Sequence, residues 1–274
     1  DDEVLEENMW FDLNEMELVG SNPQMNIVVQ IDRYAGAFTG DGDWTDTRRY
    51  LVTQDNDLNH VTSPVVESVG EVDTGNPQTL IDFVTWTKTN YPADHYALYF
   101  WGHGWNWHPG YVMQDDTSND TLDMEEIKAA LPSIGFIDMV GFDGCNMASI
   151  EVQLLWHGHA TALAHSQEWV GWDGVEYDGV LAQLAANPNM TADQLAIALE
   201  NARLFEAERR ERALARTCAR WMAPRTLGSS ASPQQTSSAP ASRAFATRSS
   251  PATSPSPARD EHSSIRGADV RHRQ

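Results

Sequence analysis

The chain has 274 residues, 40 acidic and 18 basic side chains, a formal net charge of −22 and a hydrophobic fraction of 41% that includes ten tryptophans. That is ample material for a core, and the absence of any apolar run of 18 residues leaves no transmembrane segment. The charge is unevenly divided: residues 1–203 hold 34 of the acids and six of the bases, whereas 204–274 hold 12 bases and six acids. A body this acidic argues against nucleic acid and anionic membrane surfaces and favours cationic partners, although a solvated surface suited to salty surroundings has the same composition. Beginning at Asp1, not Met, the sequence reads as a fragment or processed form.

In chain order, 1–24 is an N-terminal segment with no assigned element. Met25–Asp32 (MNIVVQID) is a short β-branched run expected to form a strand. The segment DGDWTDTRRY reads as a loop, followed by short strands at Leu51–Gln54 and Val61–Val66. Asn76-Pro77 opens a helix whose apolar face carries Leu80, Phe83 and Val84, and Pro92 stops it. A strand over Tyr96–Trp101, an acidic loop QDDTSND and a helix over Asp123–Leu131 follow. Then come a strand Ile137–Phe142, a helix Ala148–His157, a strand Ala160–Ala164 and a helix Ala192–Asn201. Strands separated by helices predict an α/β fold with a parallel sheet covered on both faces.

The C-terminal region differs in kind. The composition of 204–227 fits one exposed helix. Residues 228–274 are rich in Ser, Ala, Pro and Arg and too poor in large apolar side chains to offset chain entropy, so they read as a disordered tail. A shifted reading frame in GC-rich DNA would produce the same change in composition.

In parallel sheets, chemistry gathers beyond the carboxyl ends of the strands. Two strands end there in unusual residues: YALYFW runs into Gly102-His103-Gly104, and IDMVGF into Asp143-Gly144-Cys145. Were the strands neighbours, an imidazole and a thiol would share one rim, and a thiol beside a histidine can be held as the reactive thiolate. Glycines at 102 and 104 permit tight turns, and the amides of Gly104 and Cys145 are candidate donors to an oxyanion. Taken singly, such a His or Cys is more often structural, and Cys218, the other cysteine, gives no disulfide framework.

The motifs YPADHYALYFWGHGWNW, GFDGCNMASIEV and AHSQEWVGWDGVEYDGVLAQL, with MNIVVQIDRYAG…DGDWTDTRRYLVTQD before them, resemble the clostripain family of cysteine peptidases, of the caspase and gingipain clan. The likeness covers roughly 25–200 and implies a caspase-like three-layer α/β sandwich and a peptidase domain over 25–203; it does not extend to 204–274, where the family's remaining helices would be expected. It implies a catalytic dyad of His103 and Cys145, no required cofactor, and a peptide or protein substrate cut after Arg or Lys. It also favours a secreted or cell-envelope location.

For the basic residue, Asp143, two positions before Cys145 on an extended segment, is expected to project to the same side and offer a carboxylate. Asp173 is a second candidate, or an ordinary turn residue before Gly174. Ser166, Gln167 and Glu168 match the family's substrate-facing segment beside the pocket. A catalytically silent module of the same fold, binding cationic peptides through its acidic surface, is the competing reading. A metal-dependent hydrolase ranks below both, because His157, His159 and His165 lack spaced Cys or carboxylate partners. The loops DGDWTD and QDDTSND hold oxygen ligands suited to Ca2+ without the spacing of an EF-hand.

Overall fold

A three-stranded parallel sheet forms the centre of the fold, with β7 (Ile137–Asp143) between β4 (Ala97–Trp101) and β8 (Ala160–Ala164). The computed structural model describes residues 1–205 except Pro109 and Asp173, all within a compact unit spanning Asp1–Ala223. Alternation along the strands sends Leu98, Phe100, Val140 and Phe142 to one face, where Phe100 and Phe142 stack at 5.3 Å between ring centres beside Trp156. Met139, Tyr99 and Trp101 go to the other. Gly141 pairs with Tyr99, and a Cβ at 141 would fall 1.9 Å from the Tyr99 ring, so only glycine admits that side chain across the strand. Removing a buried ring such as Phe142 costs about 3–5 kcal/mol.

Helices cover both faces. On the first lie α2 (Pro77–Asn90), α3 (Met124–Ile134) and α4 (Ile150–Trp156), which bury Leu80, Val84, Ile127, Leu131, Val152 and Trp156. Each begins at a side-chain cap: Asn76 accepts from the Gln78 amide, Asp123 and Glu126 form a reciprocal capping box, and Ser149 accepts from the Val152 amide. On the second face lie α5 (Tyr177–Ala186) and α6, a helix over residues 192–205, packing through Val180, Ala196 and Leu199. The part of 204–227 beyond Phe205, and all of 228–274, lie outside the described residues.

Five strands pair antiparallel. β1 (Val28–Ile31), β2 (Thr47–Leu51) and β3 (Val65–Gly70) form one sheet, joined by loops with no helix to carry a parallel crossover. The expected loop through Arg48 and Arg49 is part of β2, which ends at Leu51 where a strand was expected to begin, and the third strand starts at Val65, not Val61. The arginines suit a strand because their guanidinium groups lie over aromatic rings, Arg48 over Trp44 at 4.0 Å and Arg49 over Trp86 at 4.7 Å. The acidic loop QDDTSND is the tip of a hairpin, β5 (Tyr111–Asp115) and β6 (Asp120–Asp123). Buried Asp115 accepts from the amides of Thr74 and Ser118 there.

Residues 1–24 contain α1 (Glu6–Glu17), whose buried face mixes Trp10 and Leu13 with Glu6, Asp12, Asn14 and Glu17. Glu6 and Arg33 form a fully buried ion pair at 2.8 Å, and the guanidinium lies over Trp10 and Trp44. Glu17 accepts from the Thr62 and Ser63 amides, and Asp12 from the indole N–H of Trp101. The helix is thus fastened to the end of β4. Among the described residues no helix is long and apolar enough to cross a membrane.

Candidate active site

The strands β4 and β7 end level, with Trp101 opposite Asp143. Their ladder continues past the strand ends: Gly102 N–H donates to the Asp143 carbonyl at 3.1 Å, and Cys145 N–H to the His103 carbonyl at 2.7 Å. His103 and Cys145 therefore occupy equivalent places, two residues beyond a registered pair, at the sheet's carboxyl edge. The turn between them is close. Gly104 has φ +67°, and a Cβ there would lie 2.6 Å from both the amide nitrogen and the carbonyl oxygen of Cys145. This is the adjacency that the two sequence motifs led us to expect.

His103 is partly exposed, and its Nε2 lies 2.7 Å from Oδ2 of Asp2. The oxygen sits off the N–H direction, so the contact is better described as an ion pair than as a well-aligned hydrogen bond. The Asp2 carboxylate raises the imidazole pKa above its ordinary value, through direct contact first and charge second, against the opposing effect of burial. Cys145 is a free, half-buried thiol. Its Sγ accepts from the Val170 amide at 3.3 Å and lies 3.8 Å from the Val170 carbonyl.

The segment after β8 runs beside the Cys145 turn. Asn146 N–H donates to the Glu168 carbonyl at 3.1 Å and Ala148 N–H to the Ser166 carbonyl at 2.9 Å. Ser166 is fully buried, and its hydroxyl bonds the Glu168 backbone and receives the Arg203 guanidinium at 3.1 Å. Ser166 is therefore a scaffold, while Gln167 and Glu168 are exposed. A cavity of about 450 Å³ opens beside this segment, lined by Ala148, Gln153, His165, Glu200 and Arg203, and reaches neither His103 nor Cys145. Trp105, Trp169 and Trp172 stand exposed near the two turns, with Trp105 and Trp169 edge to face at 6.3 Å.

Two expectations need correction. The Cys145 amide is not turned outward as an oxyanion donor, because it is bonded to the His103 carbonyl. Asp143 does not project beside Cys145 into an open cleft. It is 4% exposed, and its Oδ2 accepts from the Val175 amide at 3.0 Å and the Tyr177 hydroxyl at 2.9 Å. The alternation rule fails because β7 ends at Asp143, and the chain turns at Gly144 before Cys145. Asp173 lies outside the described residues. One contact that sequence reasoning missed is Asp2, separated from His103 by a hundred residues and carrying no local pattern.

His157, His159 and His165 do not gather with other ligating side chains. Among the described residues the one group close enough to share an ion is Asp1, Asp32 and Glu71.

A histidine and a cysteine at adjacent ends of a helix-clad parallel sheet define a caspase-like α/β fold. Two solved structures share it. A secreted C11 cysteine protease from Bacteroides thetaiotaomicron, in complex with an irreversible peptide inhibitor, aligns with a TM-score of 0.58 at 22% identity over 73% of this chain and 54% of that one. An inactive zymogen C11 protease from Parabacteroides distasonis aligns with a TM-score of 0.54 at 16% identity over 73% of this chain and 53% of its own. The chain belongs to the Clostripain family, whose family model matches residues 1–212. Clostripain of Hathewaya histolytica is 27% identical over 215 residues, which cover 68% of this chain and 40% of that protein. The chain thus spans between two fifths and about half of the relatives it matches.

Proposed function

We propose that the chain is a cysteine endopeptidase in which His103 and Cys145 form the dyad, cutting peptide bonds after Arg or Lys. The observation that carries this is the shared edge: two turns on neighbouring parallel strands, fastened backbone to backbone at 2.7 Å, present an imidazole and a thiol. Cys145, as thiolate with its proton on His103, adds to the scissile carbonyl. Collapse of the tetrahedral intermediate expels the amine, which takes the proton from His103 and leaves a thioester. Water, deprotonated by His103, then attacks the thioester and restores the thiol.

Gly104 N–H remains the candidate donor to the oxyanion. The Cys145 amide could join it only by leaving the His103 carbonyl. Preference for a cationic residue is supported by the acidic body and by Asp143 at the base of the site. That carboxylate is already engaged by Val175 and Tyr177, so a guanidinium would reach it only with a shift of the loop after β8. The family relatives described as proteases, one of them secreted and captured with a peptide inhibitor, support both the reaction and a location outside the cytoplasm.

A catalytically silent peptide-binding module is the second reading, favoured by the Val170 peptide lying over the sulfur and by the engaged Cys145 amide. A thiol-reactive probe ending in arginine separates the two. The peptidase labels at Cys145 and cleaves an Arg-terminated reporter, whereas the module does neither.

A further inference from the structure

A side chain a hundred residues from the histidine in sequence meets its ring. Asp2 is buried, its carboxylate held by hydrogen bonds at one oxygen and lying against the His103 ring with the other. Oδ1 accepts from the amides of Val4 and Leu5 at 2.9 and 3.0 Å, and Oδ2 lies 2.7 Å from Nε2 of His103. Among the described residues His103 is the cationic partner that the ion pairs give to Asp2. The segment holding Asp2 is itself anchored. Four residues on, Glu6 makes the buried pair with Arg33 and accepts from the Tyr34 amide at 2.6 Å, so the segment is fastened to the body of the fold.

We infer that Asp2 is a positioning residue for His103: it holds the ring so that Nε2 keeps its proton and Nδ1 is the nitrogen that exchanges protons with the thiol and the leaving amine. The chemistry follows from the imidazole itself. One nitrogen of the neutral ring donates and the other accepts, and a carboxylate against Nε2 selects the tautomer with hydrogen there. It also stabilises the imidazolium that forms when Cys145 gives up its proton. Burying a carboxylate is costly, and the two amides and the imidazole offset that cost at this one place. The inference rests on the peptidase reading above and adds to the dyad a third group acting through the histidine.

The charged groups that act on His103 come from two elements besides its own, Asp2 before α1 and Asp116 in the turn after β5, and the Cys145 turn after β7 is bonded to it through the backbone. Asp2 and Asp116 both raise the ring's pKa, with Asp2 in contact and Asp116 acting through charge alone.

The test uses the full chain with ring-15N histidine, His103 being assigned by comparison with His103→Gln. In the unsubstituted protein the neutral ring is expected as the Nε2–H tautomer, and the Nδ1–H tautomer would overturn the inference. Asp2→Asn and Asp2→Ser both retain an acceptor for the Val4 and Leu5 amides while removing the charge. Each is expected to lower kcat on an Arg reporter about 10- to 100-fold with KM within about twofold, and to move the acid limb of the rate profile to lower pH. Asp2→Glu should restore part of both. A purely structural role would lower the melting temperature and leave the limb in place, and folded variants with unchanged kcat and limb refute the inference. Should neither variant fold, the tautomer decides. Should the unsubstituted protein cleave no peptide, the peptidase reading fails while the tautomer still tests the role of Asp2.

Discussion

The Cys145 amide donates to the His103 carbonyl over 2.7 Å, so the cysteine's turn and the histidine's turn are one hydrogen-bonded unit. The separation of the two side chains is set by the β4–β7 ladder, not by the long connection between them.

Replacing the sulfur is the first test. Cys145→Ala should reduce cleavage of an Arg reporter about a thousandfold or more while the melting temperature stays within a few degrees. The side chain is half-buried and its recorded contacts are with the Val170 peptide, so little packing is lost. Retained turnover would remove Cys145 from the mechanism.

Gly104→Ala should cost about 1–3 kcal/mol and depress activity, because the residue has φ +67° and its new methyl would lie 2.6 Å from Cys145 backbone atoms. Thermal melts and kcat measured together check this. A variant with native stability and rate would mean that the turn is looser than the contact implies.

Asp143 has a structural role and, under the proposal, a second one at the basic side chain. Asp143→Ala strands the buried Val175 amide and Tyr177 hydroxyl, for a loss of about 1–3 kcal/mol, and Tyr177→Phe should cost about 1 kcal/mol. Asp143→Asn keeps an acceptor and should lower the ratio of Arg to Ala reporter cleavage. If that ratio holds while stability falls, Asp143 is structural and another acid meets the basic side chain.

The Asp2–His103 contact has a pH window. Burial pushes the Asp2 carboxyl up, but the His103 contact, with the Leu5 and Val4 amides, holds it below its ordinary value, so its contribution is lost as pH falls through that lowered pKa. The His103 pKa is raised, so its contribution is complete below the unfolded value and is lost as pH rises through the folded one. The melting-temperature gap between the unsubstituted protein and Asp2→Asn should be widest between about pH 4 and 6.5 and narrow on both sides. A gap independent of pH would contradict the pairing.

Between His103 and Cys145 the one Lys or Arg is Lys128, the single place where a peptidase that cuts after basic residues could split that interval in its own chain. It lies in α3, next to buried Ile127, and pairs with Glu125 at 3.1 Å. Cleavage would require extending a helix packed through Ile127, Ala130 and Leu131. Purified protein should therefore remain one species on a denaturing gel, and two fragments ending and starting at Lys128 would refute this.

The parts legible in the sequence were those with a local cause. Asn76-Pro77 and the Asp123/Glu126 pair announce their helices because caps are short-range chemistry. β8 matched its apolar run residue for residue. The two glycine-flanked turns could be placed because each follows a buried strand. α1 was illegible because its inward face mixes Trp10 and Leu13 with Glu6, Asp12 and Glu17, whose partners Arg33, Trp101, Thr62 and Ser63 are distant in sequence. The same holds for Asp2. Strand β2 was hidden by arginines that are satisfied by ring faces from elsewhere, and the direction of Asp143 depended on where β7 stops, which alternation alone does not give.

The pairing of Trp101 with Asp143 carries a last implication. Each residue of a strand advances the chain by about 3.3 Å and reverses the side that its side chain takes. A one-step misalignment between these neighbours would pull the ring and the sulfur out of reach and drive Phe100 and Phe142 out of their shared layer at once. The juxtaposition of the His103 and Cys145 turns and a well-formed interior are thus secured by the same alignment, so that one cannot be lost without the other.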